Sequence, residues 1–270
     1  MDTLQIDIDG IIKERTAKSG KKVPKFLVNY LKKIVHQDEI NKILSSGGDL
    51  EGAEFIDHTL NALNISYSPH DVVNLDPEGR YVIVSNHPMG GLDGLILISY
   101  LSKAFPRKGL KVLTNDILMN LKPIKSLFVP INKFGMVRHE AAKEIGNVFQ
   151  SNVQLLTFPA GLCSRKIKGR IADLEWKKSF VKKAVESGRD ILPIYFAGRN
   201  SNKFYLIAKL RKLLGIKFNI EMMLLPDEMF KQRNASLDFY IRRPIPIATI
   251  TKDHSYKEWT EFVRNKVYNG

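Results

Sequence analysis

Residues 82–99, VIVSNHPMGGLDGLILIS, decide how this chain is read. An apolar run of strand length stops at Asn86-His87-Pro88, crosses Gly90, Gly91 and Asp93, and turns apolar again. His87 precedes a proline, which disfavours helical backbone and carries the chain out of the strand in an extended form. A neutral imidazole near pH 7 can take a proton from a hydroxyl, and a carboxylate on its other nitrogen fixes the tautomer. Asp93 is the carboxylate at hand. On a regular helix six positions would set the two side chains about 240° apart. The glycines must therefore fold the segment back. They also offer backbone N–H groups as donors to a developing oxyanion. The plainer alternative is a turn in which His87 and Asp93 only cap a helix.

Outward from this turn, apolar runs of strand length alternate with helical patterns. YVIVS, LKVLT, SLFVPIN, VQLLTFP and DILPIYFA read as strands, and GLILISYLSKA, EAAKEIGNVFQ and WKKSFVKKAVES as helices. That alternation predicts an α/β fold with a mostly parallel central sheet flanked by helices. Further on come a helical SNKFYLIAKLRKLLG, an apolar loop at EMMLLPDEMF, a strand at SLDFYIRRPIP and a last helix at SYKEWTEFVRNKVY. Upstream, PKFLVNYLKKIVHQ, DEINKILSS and LEGAEFIDHTLNALN carry helical spacing. The expected organisation is a helical N-terminal region at 1–70 and an α/β domain at 71–270. Ligands of open α/β sheets gather in loops at the carboxyl ends of strands. The loops to inspect are therefore SNHPMGGLDG, PINKFGMVRH and FPAGLCSRK.

Composition narrows the chemistry. Lys and Arg number 42 against 28 Asp and Glu, a net charge of +14, which points to an anionic partner: nucleic acid, an anionic bilayer surface or an acidic protein. No nucleic-acid recognition motif is present, and nucleic acid is not expected as a partner. The single cysteine, Cys163, excludes an internal disulfide and any multi-cysteine metal site. As a nucleophile it competes with the commoner role of a small packing residue. Gly-x-Ser-x-Gly, Gly-x-Gly-x-x-Gly and a P-loop are absent, and HEAAK at His139 is not a zinc motif. No metal and no resident cofactor are expected. The N-terminus has no signal-peptide pattern, and no apolar run reaches the ~18 residues of a membrane span.

The motifs NHPMGGLD (86–93), FPAG (158–161) and LPI (192–194) together resemble the lysophospholipid and glycerolipid acyltransferases. The resemblance runs from about Tyr81 to Pro246. It is strongest to the branch that O-acylates lyso-amino-acid lipids such as lyso-ornithine or lyso-glycine lipid. The general family pattern places four residues between histidine and aspartate; here five separate His87 from Asp93, a form found in that branch. In the third motif Ala160 stands where the family has glutamate, and Arg165 lies two places beyond the usual arginine. In the second motif Lys133 occupies a usual arginine position, with Arg138 downstream. The resemblance implies direct acyl transfer from an acyl carrier protein or CoA thioester to the hydroxyl of a lyso-lipid acceptor. His87 would be the base and Asp93 its partner. Asn86, Gly90, Gly91, Lys133, Arg138, Phe158, Pro159, Gly161 and Arg165 would line the substrates. The departures in motifs two and three favour a zwitterionic or carboxylate head group over a phosphate. A lysophosphatidic acid acyltransferase and a non-catalytic lipid-binding protein on the same scaffold are the alternatives.

An enzyme of this kind must meet its lipid at a surface. Residues 202–217 place Leu206, Ile207, Leu210, Leu213 and Leu214 on one helical face beside Lys203, Lys209, Arg211, Lys212 and Lys217. Such a helix can lie in an anionic bilayer interface, or pack on the sheet instead. FLVNYLKKIV, residues 26–35, has the same character. The expected location is cytoplasmic, peripheral on the inner face of the cell membrane.

Overall fold

The computed structural model describes residues 5–17, 23–72, 75–114, 121–131 and 138–270. The chain opens with helices α1 (Ile8–Ala17), α2 (Lys25–Val35), α3 (Gln37–Gly47) and α4 (Gly52–Ala62). Strand β1 (Ser66–His70) precedes β2 (Tyr81–Ser85), α5 (Leu92–Ala104), β3 (Leu110–Thr114), β4 (Phe128–Pro130), α6 (Arg138–Gln150) and β5 (Gln154–Thr157). A short hairpin, β6 (Arg165–Ile167) and β7 (Arg170–Ala172), leads to α7 (Ser179–Ser187), β8 (Asp190–Ala197) and α8 (Asn202–Leu213). Helix α9 (Leu225–Phe230), strand β9 (Ser236–Ile241) and helix α10 (Tyr256–Asn269) complete it.

The main sheet has the order β1-β9-β8-β2-β5-β3-β4. Five strands from β8 to β4 run parallel, β9 is antiparallel to β8, and β1 is parallel to β9. The expected mostly parallel α/β sheet flanked by helices is what the chain forms. Central β2 is buried on both faces, which is why YVIV reads as a continuous apolar run rather than an alternating one. Tyr81 and Ile83 face a core with Leu92, Ile96 and Leu97 of α5 and Ile56 and Leu60 of α4. Val82 and Val84 face a second core with Phe180 and Val181 of α7 and Val263 and Val267 of α10. Each such aliphatic side chain contributes about 2 kcal/mol on burial, so β2 is firmly held beneath the site. Helix α5 is apolar nearly all round because it is enclosed between the sheet and α4.

Residues 66–70, expected within the helical region, are instead β1. SYSPH lacks an apolar run, and as an edge strand paired only with β9 it tolerates Pro69. Because Phe55, Ile56, Leu60 and Leu63 lie in the same core as Ile83 and Leu97, the helical segment and the sheet share one interior. EMMLLPDEMF is not a loop. Ile220–Leu224 is a 3-10 helix and α9 follows, with Pro226 in its first turn where the missing N–H costs nothing. The hairpin β6–β7 was not expected: Lys168 and Gly169 both have positive φ, 48° and 83°, and make a two-residue turn of the primed kind.

Behind the site, Arg189 is fully buried. Its guanidinium donates to the carbonyls of Phe149 at 2.8 Å and Val153 at 2.7 Å, satisfying groups that the end of α6 leaves open. Burial lowers its pKa to about 10, so it still carries charge at neutral pH.

Candidate active site

Strand β2 delivers His87 to the carboxyl edge of the sheet, between β8 and β5. Asn86 fixes the exit. Its Oδ1 accepts from the Phe196 N–H at 2.7 Å, and its Nδ2 donates to the Phe196 carbonyl at 2.9 Å. These two bonds imitate a ladder pair and prolong the β2–β8 pairing by one residue. Asn86 was expected to line the substrate, but its amide is turned to β8 and almost fully buried. It positions the histidine.

The turn brings His87 and Asp93 together: Nδ1 lies 3.1 Å from Asp93 Oδ2. Asp93 is completely buried in the first turn of α5, where a negative charge faces the positive end of the helix dipole. Its Oδ2 also accepts from the Met89 N–H at 3.0 Å and the Gly90 N–H at 3.4 Å, and its Oδ1 from the Gly94 N–H at 2.8 Å. The turn is thus built around the carboxylate, and the Gly90 N–H is spent on it rather than free for an oxyanion. Gly90 has φ +74°, and a Cβ there would stand 2.9 Å from Cys163 Cβ and 3.0 Å from Leu225 Cδ2. Only glycine fits. Gly91, with φ −163°, lies outside the left-handed region, and a Cβ on it would meet nothing within 4 Å. One glycine, not two, shapes the turn.

Electrostatics follow from this packing. Burial alone disfavours a charged imidazole, but the Asp93 carboxylate, with help from Asp173, outweighs it and holds the His87 pKa above its ordinary value. For Asp93 burial pushes upward, while His87 and the Met89 and Gly94 N–H groups prevail and hold it below the usual carboxylate value. The ring itself is stacked on Phe158, centroids 4.0 Å apart and planes at 27°. Among the described residues none hydrogen-bonds Nε2, and the side chain is 16% exposed.

Asp173 has no counterpart in the motifs. Its Oδ1 accepts from the His87 backbone N–H at 3.1 Å and the Ser164 hydroxyl at 2.5 Å, and its Oδ2 from Trp176 Nε1 at 2.9 Å. The Ser164 N–H in turn donates to the His87 carbonyl at 2.7 Å. Both backbone polar groups of His87 are therefore held by the segment that follows β5. Burial raises the Asp173 pKa despite these donors. Nothing local marks it, because its main partner lies 86 positions away. An aspartate set among apolar residues in RIADLEW is the one available signal.

Phe158 meets the imidazole as described. Pro159 is buried, and its carbonyl accepts from the Lys177 N–H at 3.0 Å. Gly161 adopts φ +69° and closes a tight turn onto the Phe158 carbonyl at 2.9 Å. Ala160, at the position of the expected glutamate, is buried in the core around Val84 and Trp176. Arg165 was expected at the substrate, but it faces inward. Its Nη2 pairs with fully buried Glu221 at 2.7 Å, its Nη1 donates to the Cys163 carbonyl at 2.6 Å, and its guanidinium sits over Phe204. Glu221 is shared with Arg211 at 2.9 Å. Turning Arg165 to a ligand would leave Glu221 with Arg211 as its one ion-pair partner among the described residues. Lys133 lies outside the described residues. Arg138 is the first residue of α6, and its side chain lies outside them too. Burial raises the Cys163 thiol to about 11, which keeps it protonated at neutral pH.

Comparison with known proteins gives a consistent set of relatives. The family described as Acyltransferase matches residues 10–269. A lyso-glycine lipid O-acyltransferase of Bacteroides thetaiotaomicron is 45% identical over 263 residues, covering 97% of this chain and 96% of that one. One from Phocaeicola vulgatus is 43% identical, covering 97% and 94%. Among solved structures, the 1-acyl-sn-glycerophosphate (LPA) acyltransferase PlsC from Thermotoga maritima aligns over 88% of this chain and 85% of its own, at 17% identity and a TM-score of 0.47.

Proposed function

Because this chain belongs to the acyltransferase family along nearly its whole length, we propose that it transfers a fatty acyl group from a thioester to the hydroxyl of a lyso-amino-acid lipid of the lyso-glycine or lyso-ornithine type. The observation that carries this reading is the His87–Asp93 pair, with Nδ1 bonded to a buried carboxylate and Nε2 left for substrate.

Nε2 takes the proton of the acceptor hydroxyl as its oxygen attacks the thioester carbonyl. Asp93 holds the tautomer and stabilises the imidazolium that forms. The tetrahedral intermediate collapses with C–S cleavage, and His87 returns the proton to the departing thiolate. A new C–O ester bond replaces the thioester, with no covalent acyl-enzyme. No described residue accepts from the N–H groups of Gly91 and Leu92 at the start of α5, and they are the donors that remain for the oxyanion.

The choice of acceptor rests on the relatives and on charge. Arg165 is committed to Glu221 and Ala160 supplies no polar group, so neither of these two motif positions offers a free cation to a phosphate, and Lys177, whose Nζ stands beside Gly161, is the cation left at the loop after β5 among the described residues. A zwitterionic or singly charged carboxylate head group asks for less positive charge than a phosphate monoester does. The donor is acyl carrier protein or CoA, both anionic and matched to the net charge of +14. Among the described residues no helix is long and apolar enough to cross a membrane. The enzyme meets its lipid at the surface of the inner face instead.

Acyl transfer by the purified protein tests this, with carrier-protein and CoA donors against lyso-glycine lipid, lyso-ornithine lipid and lysophosphatidic acid. Product from a lyso-amino-acid lipid, reduced by about 10³-fold or more in His87→Ala, is expected. Product from lysophosphatidic acid alone would replace the acceptor. Binding of lyso-lipid without product from any pair would leave a non-catalytic scaffold.

A further inference from the structure

Helices α2 and α8 pack on one small satellite core, formed by Cys163, Phe204, Tyr205 and Leu224 and flanked by Ile34 and Ile207. Only one side of α8 is used there. On the other side Leu213 and Leu214 are 79% and 71% exposed, and Phe218 in the segment after the helix is 68% exposed. Leu206, Leu210 and Ile216 are exposed beside them. Helix α2 turns Phe26, 75% exposed, and Tyr30 outward from the same core. Single exposed leucines are ordinary, but a group of this size is not.

The charge around the group is one-sided. Residues 202–220 contain Lys203, Lys209, Arg211, Lys212 and Lys217 and no Asp or Glu. Arg211 is bound to Glu221, whereas among the described residues no acidic group pairs with Lys203, Lys209, Lys212 or Lys217. The layer beneath also reaches the catalytic turn: the space beside Gly90 is filled by Cys163 of the satellite core and by Leu225, the first residue of α9.

We propose that this face, α8 with Ile216–Phe218 and the outer side of α2, is the surface by which the enzyme docks on an anionic bilayer. The proposal rests on the lipid-acceptor reading above and names where the lipid is met. An anionic bilayer supplies head groups for the four lysines and acyl chains for Leu213, Leu214 and Phe218 at once. An acidic carrier protein would match the lysines but leave the apolar side chains in water. A second copy on a two-fold axis would bring like charges together.

The test is flotation with vesicles of equimolar phosphatidylcholine and phosphatidylglycerol, against pure phosphatidylcholine, at low and high salt. It uses the wild type, the triple variant Lys209→Glu/Lys212→Glu/Lys217→Glu and the triple variant Leu213→Ser/Leu214→Ser/Phe218→Ser. Wild type should bind the anionic vesicles, less so at high salt. The charge variant should bind them at least about a hundredfold more weakly, at roughly fivefold per cation removed, and the apolar variant should also lose binding. Both variants should acylate a water-soluble short-chain acceptor at the wild-type rate, which shows that the fold and His87 are intact. If wild type acylates nothing yet floats as described, the docking face stands and the substrate reading fails. Wild-type binding by either variant, or equal binding of wild type to both vesicles, would overturn the docking face. So would an apolar variant that merely turns a wild-type dimer into a monomer. A charge variant that only raises KM for acyl carrier protein would assign the lysines to the donor and overturn it as well.

Discussion

At the scale of single residues, the site sets two uses of His87 against each other. The proposed general-base role needs the imidazole neutral, but Asp93 raises its pKa. Activity should therefore fall as pH drops through that raised value, and kcat/KM should show an inflection above the ordinary histidine value of about 6.5. Asp93→Asn should lower kcat by roughly 10³–10⁴-fold, as loss of the tautomer partner does in comparable dyads. It should also move the inflection downward; an unmoved inflection would mean that Asp93 does not set the pKa. Stability runs the opposite way. A raised histidine pKa contributes stability that is complete below about 6.5 and lost as pH rises through the folded value. The depressed Asp93 contributes above about 3.9 and is lost as pH falls through its lowered pKa. The pair is thus at full strength between roughly 4 and 6.5, and the stability difference between wild type and Asp93→Asn should narrow above that window in melts taken across pH.

At the scale of elements, the turn between β2 and α5 separates two glycines that look equivalent in the sequence. Gly90→Ala must hold a positive φ and press into Cys163 and Leu225. It should destabilise by about 2 kcal/mol or more and disturb the His87–Asp93 distance. Gly91→Ala should stay within about 0.5 kcal/mol of wild type, since its φ is unstrained and the space is open. Urea denaturation of the two variants decides this; equal losses would mean that the turn needs both. Helix α6 offers a second contrast. Arg189 donates to the carbonyls of Phe149, Ser151 and Val153 where α6 ends and β5 begins, sharing Phe149 with Arg80. Arg189→Met should cost roughly 3 kcal/mol, because buried carbonyls are left without donors while the site lies at the other end of the sheet. Unchanged stability would mean that water replaces the guanidinium.

At the scale of the whole molecule, the His87–Asp93 turn is where three independently packed layers meet. One core on each face of the sheet fixes β2, and the satellite core of α2 and α8 closes over Gly90. The same three-way contact places the exposed apolar and cationic face of α8 in the layer that touches this turn. A net charge of +14 by itself favours an anionic partner without locating it. The distribution says where: the cations of residues 202–217 stand beside uncovered leucines, whereas Arg165 is buried against Glu221.

The sequence by itself determined the parallel α/β plan and the pairing of His87 with Asp93, because both rest on short-range signals. Continuous apolar runs of strand length require burial on two faces, and a proline and glycines between a histidine and an aspartate six residues apart require a reversal. Only the tertiary structure decided the rest, because the remaining interactions join positions far apart in the chain. Edge strand β1 exists through β9, 170 positions on, and has no apolar pattern of its own. Asn86 belongs to Phe196, Asp173 to the His87 backbone, and Arg165 to Glu221, each a polar group whose role is set by the partner that burial makes obligatory. Residue type shows which chemistry a side chain can perform, and long-range packing settles whether it is free to perform it.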